Sequence, residues 1–163
     1  METNPKKAFH WIVDILKRHD IPFEIDGGLA ARAYGAEREL VDIDLVIPED
    51  RFDEIIPEVE AYIQFGPSQF VDDKWNLLLM TLDYEGQSID IAGSEHQKYF
   101  DETKHEWISS PADFSKSERK LIFNQEVGVI PKERLIEEKR HLGREVDLID
   151  LEFLEKSNHF QAE

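Results

Sequence analysis

The chain has 163 residues, of which 40% are hydrophobic, no cysteine, and a formal net charge of −17 at pH 7. That length supports one domain with a real core. The charge disfavours long DNA or RNA as a partner, and the missing cysteines exclude a disulfide framework or a thiolate metal site. No apolar run approaches the roughly 18–20 residues needed to cross a bilayer, so a cytoplasmic protein without membrane contact is expected. The acidity suits metal cations and cationic small molecules.

The first element expected is an amphipathic helix capped by Thr3 or Asn4, with Pro5 at its first position. Its buried face is Phe9, Ile12, Val13, Ile15 and Leu16, and Asp14, Lys17 and Arg18 interrupt the apolar positions as no secretion leader would. Asp20 and Pro22 stop it. "PFEID" reads as a short strand ending at Gly27-Gly28, and "GLAARAYG" as a short helix closed by Gly35. "VDIDLVI" is a strand bounded by Pro48, and "PEDRFDEIIPEVEAY" a helix broken near Pro57. "WNLLLMTLDY" and "QSIDIAG" are strands joined by a turn at Glu85-Gly86.

From Gly93 to Ser117 the sequence reads as polar and irregular. "RKLIFNQEVGVI" is an extended segment or hairpin, and "PKERLIEEKRHLG" a helix from Pro131 to Gly143. "REVDLIDLEFLEKS" is a last helix, with Val146, Ile149, Leu151, Phe153 and Leu154 available for packing. Mixed elements ending in helices indicate one α+β domain over residues 1–163, with a core at about 20–110 and a C-terminal strand and helices at about 118–157.

Asp42 and Asp44 share one face of their strand, about 7 Å apart, and can converge on one cation. Asp90 is a lone acid between Ile89 and Ile91 on another apolar strand. If the strands are neighbours, the three carboxylates repel and raise each other's pKa values. Divalent cations remove that cost, and oxygen-only ligands select Mg²⁺ or Mn²⁺. Gly27 and Gly28 lie between strand and helix, where glycine lets a phosphate approach free N–H groups and the positive end of the helix dipole. Metal cluster and phosphate cradle together suggest a Mg–nucleotide site with in-line attack on phosphorus.

Gly27-Gly28, "DID" at Asp42–Asp44 and "IDI" around Asp90 occur in an order that resembles the DNA polymerase β-like nucleotidyltransferase superfamily. The stretch "DGGLAARAYG…R…VDIDLVI" is similar to small single-domain members: lincosamide and aminoglycoside nucleotidyltransferases, and bacterial toxins and antitoxins of nucleotidyltransferase type. "IPKERLIEEKRHLGREVDLIDLEFL" is similar to their C-terminal helices. The resemblance covers residues 20–157. Many members carry Gly-Ser where this chain has Gly27-Gly28, and Glu145-Val146-Asp147 stands where a lysine often precedes the aspartate.

The resemblance implies a nucleotidyltransferase fold, with a small mixed sheet flanked by helices, and transfer of a nucleoside monophosphate from a nucleoside triphosphate. Asp42, Asp44 and Asp90 would hold the metals, and Asp90 would orient or deprotonate the acceptor hydroxyl. Gly27 and Gly28 would hold the β- and γ-phosphates, and Lys139 would reach the triphosphate. Arg38, in the connection leading to the acids, is a further phosphate contact or a solvated loop arginine. The acceptor would be a small molecule or a protein. The competing reading is a non-catalytic binding module, an antitoxin-like partner protein that keeps only the fold.

The six histidines show no metal-ligand spacing, and no Gly-x-Ser-x-Gly or Walker loop occurs. Trp75 and Trp107 read as core or pocket wall. Asp101, Glu102 and Glu106 follow the third acid closely and either attract a cationic acceptor or lie in a solvated loop.

Overall fold

A computed structural model describes residues 3–162, with side chains placed as far as Lys156. The N-terminal helix α1 (Pro5–Arg18) is capped by Asn4, whose Oδ1 accepts the Lys7 N–H at 3.0 Å. Its apolar positions Phe9, Ile12, Val13 and Leu16 are fully buried. Strand β1 (Glu24–Asp26) leads into α2 (Gly27–Ala33), then β2 (Asp42–Ile47) and α3 (Phe52–Val59). Strands β3 (Ile63–Val71), β4 (Trp75–Tyr84), β5 (Gln87–Gly93), β6 (Lys98–Asp101) and β7 (Glu106–Ser109) follow. The hairpin β8 (Glu118–Ile122) and β9 (Gln125–Val129) precedes helices α4 (Lys132–Leu142) and α5 (Glu145–Ala162).

The strands form one mixed sheet in the order β7-β6-β4-β5-β2-β1-β9-β8, with β3 also paired to β4. Strand β2 runs parallel to β5 and antiparallel to β1. Alternation sorts the side chains between two faces. Ile25, Ile43, Leu45, Ile47, Ile89, Ile91, Met80 and Leu82 join the core with α1 and α3. The other face carries Asp26, Asp42, Asp44, Asp90 and Thr81, and the elements around α4 close over it.

Several expectations need correction. Segment 93–117 contains the hairpin β6–β7, which strands of only four residues conceal: Lys98, Glu106 and Trp107 are exposed, and Asp101 stands at a buried position where an apolar residue would mark a strand. Strand β3 was not expected at all: Gly66 and Pro67 interrupt its pattern, and its pairing with β4 shifts register there. Pro57 does not break its helix but lies inside α3, which ends two residues later and is anchored by buried Phe52, Ile55 and Val59. Helix α5 buries Leu151 and Leu154 but leaves Val146 and Ile149 exposed, and instead buries Asp147 and Asp150. Trp107 is exposed on the edge strand β7, not in the core.

Candidate active site

The sheet register assembles the acids. Asp44 on β2 stands opposite Asp90 on β5 and opposite Asp26 on β1, so three carboxylates lie side by side across adjacent strands. Asp42 shares their face two residues away. All four line a cleft of about 560 Å³. Thr81, paired with Asp90 across β4 and β5, donates its hydroxyl to Asp90 Oδ1 at 2.8 Å.

The electrostatics follow from this crowding. Burial first, then Asp90, Asp42 and Asp26, push the Asp44 carboxyl up to about 8, opposed by Lys139. Burial also raises Asp90, with Asp42 adding and the Thr81 hydrogen bond opposing. Asp26 is raised by burial, and its Oδ1 is buried without a hydrogen-bond partner. Beside it on α4, Glu138 is pushed up to about 8 by burial and then by Asp26, while Ser110 Oγ donates to it at 2.9 Å.

Gly27 and Gly28 open α2 at the rim of this acid row. Gly27 has φ +60°, and a Cβ there would lie 2.3 Å from Asp44 Oδ2. A Cβ on Gly28 would lie 2.9 Å from Arg38 Nη2. Gly27 is therefore required by its backbone conformation, while at Gly28 a Cβ would have to displace the Arg38 guanidinium.

Arg38 borders Gly28, and α5 holds it together with two further cations, Lys139 and Arg144. Asp150 accepts from Arg38 Nε and Nη2, both at 2.9 Å, and pairs with Lys139 Nζ at 2.9 Å. Asp147 pairs with Lys139 at 3.4 Å and takes a fork from Arg144 at 2.7 and 3.0 Å. Lys139 is thus a buried ion-pair partner rather than a surface lysine. All three cations still line the cleft.

No protein-family model and no curated protein matches the sequence. Solved structures do match. One from Thermotoga maritima, described as a putative nucleotidyltransferase, aligns over 96% of this chain and 89% of its own at 20% identity, TM-score 0.69. The lincosamide antibiotic adenylyltransferase LnuA, lincomycin-bound, aligns over 95% and 98% at 16% identity, TM-score 0.61. The antibiotic-resistance factor ANT(2'')-Ia aligns over 99% and 86% at 17% identity, TM-score 0.64. This chain has the nucleotidyltransferase fold.

In this nucleotidyltransferase fold, Asp42, Asp44, Asp90, Gly27, Gly28, Arg38 and Lys139 all meet at the one cleft. Asp101, Glu102 and Glu106 do not line it. Asp101 is buried and accepts from the Thr103 N–H at 2.8 Å, and Glu102 pairs with Lys74. Trp75 is half-buried and is part of the cleft wall. Sequence reasoning missed Asp26 and Glu138. Asp26, immediately before Gly27, carried a readable signal, because a strand ending at the glycine turn aims its last side chain at the same face as Asp44. Glu138 carried none, since it sits among charged residues on α4. Among the described residues, one trio of acid and imidazole groups has ligand atoms within 4.8 Å of one another, and it lies elsewhere: Glu49, Glu95 and His96. These three are mostly solvent-facing and bond one another.

Proposed function

We propose that this protein is a Mg²⁺- or Mn²⁺-dependent nucleotidyltransferase that moves a nucleoside monophosphate from a nucleoside triphosphate to a hydroxyl of a small-molecule or protein acceptor. The observation that carries it is the register of Asp44 with Asp90, beside a Gly27-Gly28 turn that leaves no room for a Cβ. The donor set fits a hard divalent cation: it is all oxygen, burial and then neighbouring carboxylates raise Asp44 and Asp90, and Asp26 keeps an unpartnered oxygen. Asp42, Asp44 and Asp90 would hold the ion. Bound there, it would offset the charge on the phosphates and on the phosphorus centre.

The chain's own residues do the rest. Backbone N–H groups at Gly27 and Gly28 receive the β- and γ-phosphates, and Arg38, Lys139 and Arg144 balance their charge. Asp147 and Asp150 keep those cations in place. Asp90, oriented by Thr81, takes the proton of the acceptor hydroxyl. The acceptor oxygen–phosphorus bond forms as the bond to the bridging oxygen breaks, and pyrophosphate leaves. An antibiotic, the acceptor class named for LnuA, is one instance of the small-molecule case.

A second reading has its own support. Asp147 and Asp150 already satisfy the cations that would meet a triphosphate, which suits a non-catalytic, antitoxin-like binding module. Thermal melting with each nucleoside triphosphate separates the two. Transfer requires a rise in Tm that depends on Mg²⁺ or Mn²⁺, about 2.7 kcal/mol of stabilisation at 100 times Kd. No metal-dependent rise with any ribo- or deoxyribonucleotide supports the binding module.

A further inference from the structure

The cleft face changes character along the strands. Its polar row is Asp26, Asp44, Asp90 and Thr81. One step further, in cross-strand register, come Glu24, Val46, Ala92 and Leu79; buried Glu24 accepts from Ser117 and does not line the cleft, which leaves the row apolar on the β2, β5 and β4 side. Beyond them lie Leu77, paired with Phe70 on β3, and then Trp75. Val46, Leu77 and Ala92 form an apolar cluster of their own, with Phe70, Trp75 and Leu79 packed against it, separate from the main core. Phe70, Trp75, Leu77 and Leu79 all line the cleft. Buried Gln97 is the polar side chain at that end.

In-line transfer decides what this apolar floor is for. The nucleophile and the leaving pyrophosphate stand on opposite sides of the phosphorus. The glycines lie beside Asp44 with Arg38 and Lys139, which Asp150 of α5 gathers, and this fixes the side of the pyrophosphate, while Arg144 reaches over the Trp75 ring at 5.8 Å. The acceptor hydroxyl then comes from the Asp90 and β4 side, where the floor is apolar. The acids that composition suggests for a cationic acceptor are not there: Asp101 is turned into its own Thr103 turn, and Glu102 and Glu106 lie outside the cleft.

Resting on the nucleotidyl-transfer reading, we infer that the acceptor is a hydroxyl-bearing compound with an apolar, aryl or alkyl body seated on Phe70, Trp75, Leu77 and Leu79, and not a polycation. A polyamine would bring several charges against Phe70, Trp75, Leu77 and Leu79, a wall that carries no carboxylate and has the Arg144 guanidinium over Trp75; of the cleft acids, Asp42, Asp44 and Asp90 would hold the metal, and Glu138 accepts from Ser110. An apolar body gains from burial against the wall and leaves its hydroxyl at Asp90.

Calorimetry tests this with defined probes. The protein is first titrated with the α,β-methylene analogues of the ribo- and deoxyribonucleoside triphosphates, each with Mg²⁺ and with chelator, and the analogue that binds is carried forward. Absence of metal-dependent binding refutes the transfer reading itself. The nucleotide-loaded protein is then titrated with 2-naphthyl β-D-glucopyranoside, a neutral aryl compound with hydroxyls, and with kanamycin, a polycation with hydroxyls. The glucoside is expected to bind at least about ten-fold more tightly than kanamycin. Leu79→Asp should weaken it by about ten-fold or more, and Leu79→Met by no more than about two-fold. If Leu79→Asp does not fold, Trp75→Ser at the half-buried end of the wall carries the same expectation. With nucleotide binding intact, equal or tighter kanamycin binding overturns the inference alone. So does displacement of the glucoside by nucleotide, which would assign the wall to the nucleobase, or a folded wall variant with unchanged glucoside affinity.

Discussion

Replacing Asp44 with Asn removes one charge from the centre of the acid row and keeps the shape of the side chain. The folded protein holds the Asp44 proton up to about pH 8, whereas an unfolded aspartate releases it near 3.8. The folded state therefore binds more protons between those values, and stability falls as pH rises across that window. The slope for one such group is about 1.4 kcal/mol per pH unit, or about 4 kcal/mol accumulated by pH 7. Relaxation of the cluster and residual compactness of the unfolded chain reduce this, so a gain of about 1–4 kcal/mol is expected for metal-free Asp44→Asn at pH 7. Urea unfolding in chelator at pH 5 and pH 8 measures it. The parent should lose stability between the two, and the variant should lose less. Excess Mg²⁺ should stabilise the parent more than the variant. A loss of more than about 1 kcal/mol for Asp44→Asn in chelator would refute the cluster, because that is the behaviour of an aspartate held by structural bonds.

The glycine turn and the α5 ion pairs give further expectations. Gly28→Val drives its Cβ onto Arg38, so it should weaken nucleotide affinity more than it lowers Tm; unchanged affinity in a folded variant would locate the phosphates elsewhere. Gly27→Ala combines a positive φ with a clash at Asp44 Oδ2 and should cost about 1–3 kcal/mol in urea unfolding. Lys139→Ala removes the most buried cation from Asp147 and Asp150, which keep Arg144 and Arg38. It should cost about 1–3 kcal/mol and lower triphosphate affinity while leaving metal binding intact, and normal affinity in the folded variant would remove Lys139 from the phosphate contacts.

Local rules made the central part of the fold readable. Asn4, Pro5 and the apolar spacing of the first helix state its start and its buried face, and "VDIDLVI" and "QSIDIAG" alternate cleanly enough to assign both strands and faces. What alternation cannot give is the partner of each strand. The register of Asp44 with Asp90 is a long-range fact, and so is the meeting of Asp26 with both. Strand β3 escaped because Gly66 and Pro67 interrupt the pattern of an edge strand, and the β6–β7 hairpin because its four-residue strands carry Lys98, Asp101 and Glu106. Helix α5 misled for a different reason. Its buried positions include Asp147 and Asp150, which are matched by Arg38 and Lys139 from other elements and by Arg144 just before the helix, so apolar spacing alone points to Val146 and Ile149 instead.

Mass spectrometry of a transfer reaction tests the proposed function most directly. The protein, a mixture of nucleoside triphosphates, Mg²⁺ and a pool of hydroxyl-bearing small molecules and lysate proteins are incubated together, with Asp90→Asn and a chelated sample alongside. The expected result is a metal-dependent mass gain of one nucleoside monophosphate on an acceptor, with stoichiometric pyrophosphate, reduced by orders of magnitude in Asp90→Asn. Nucleotide binding without adduct or pyrophosphate from any triphosphate, or equal adduct formation by Asp90→Asn, would contradict it.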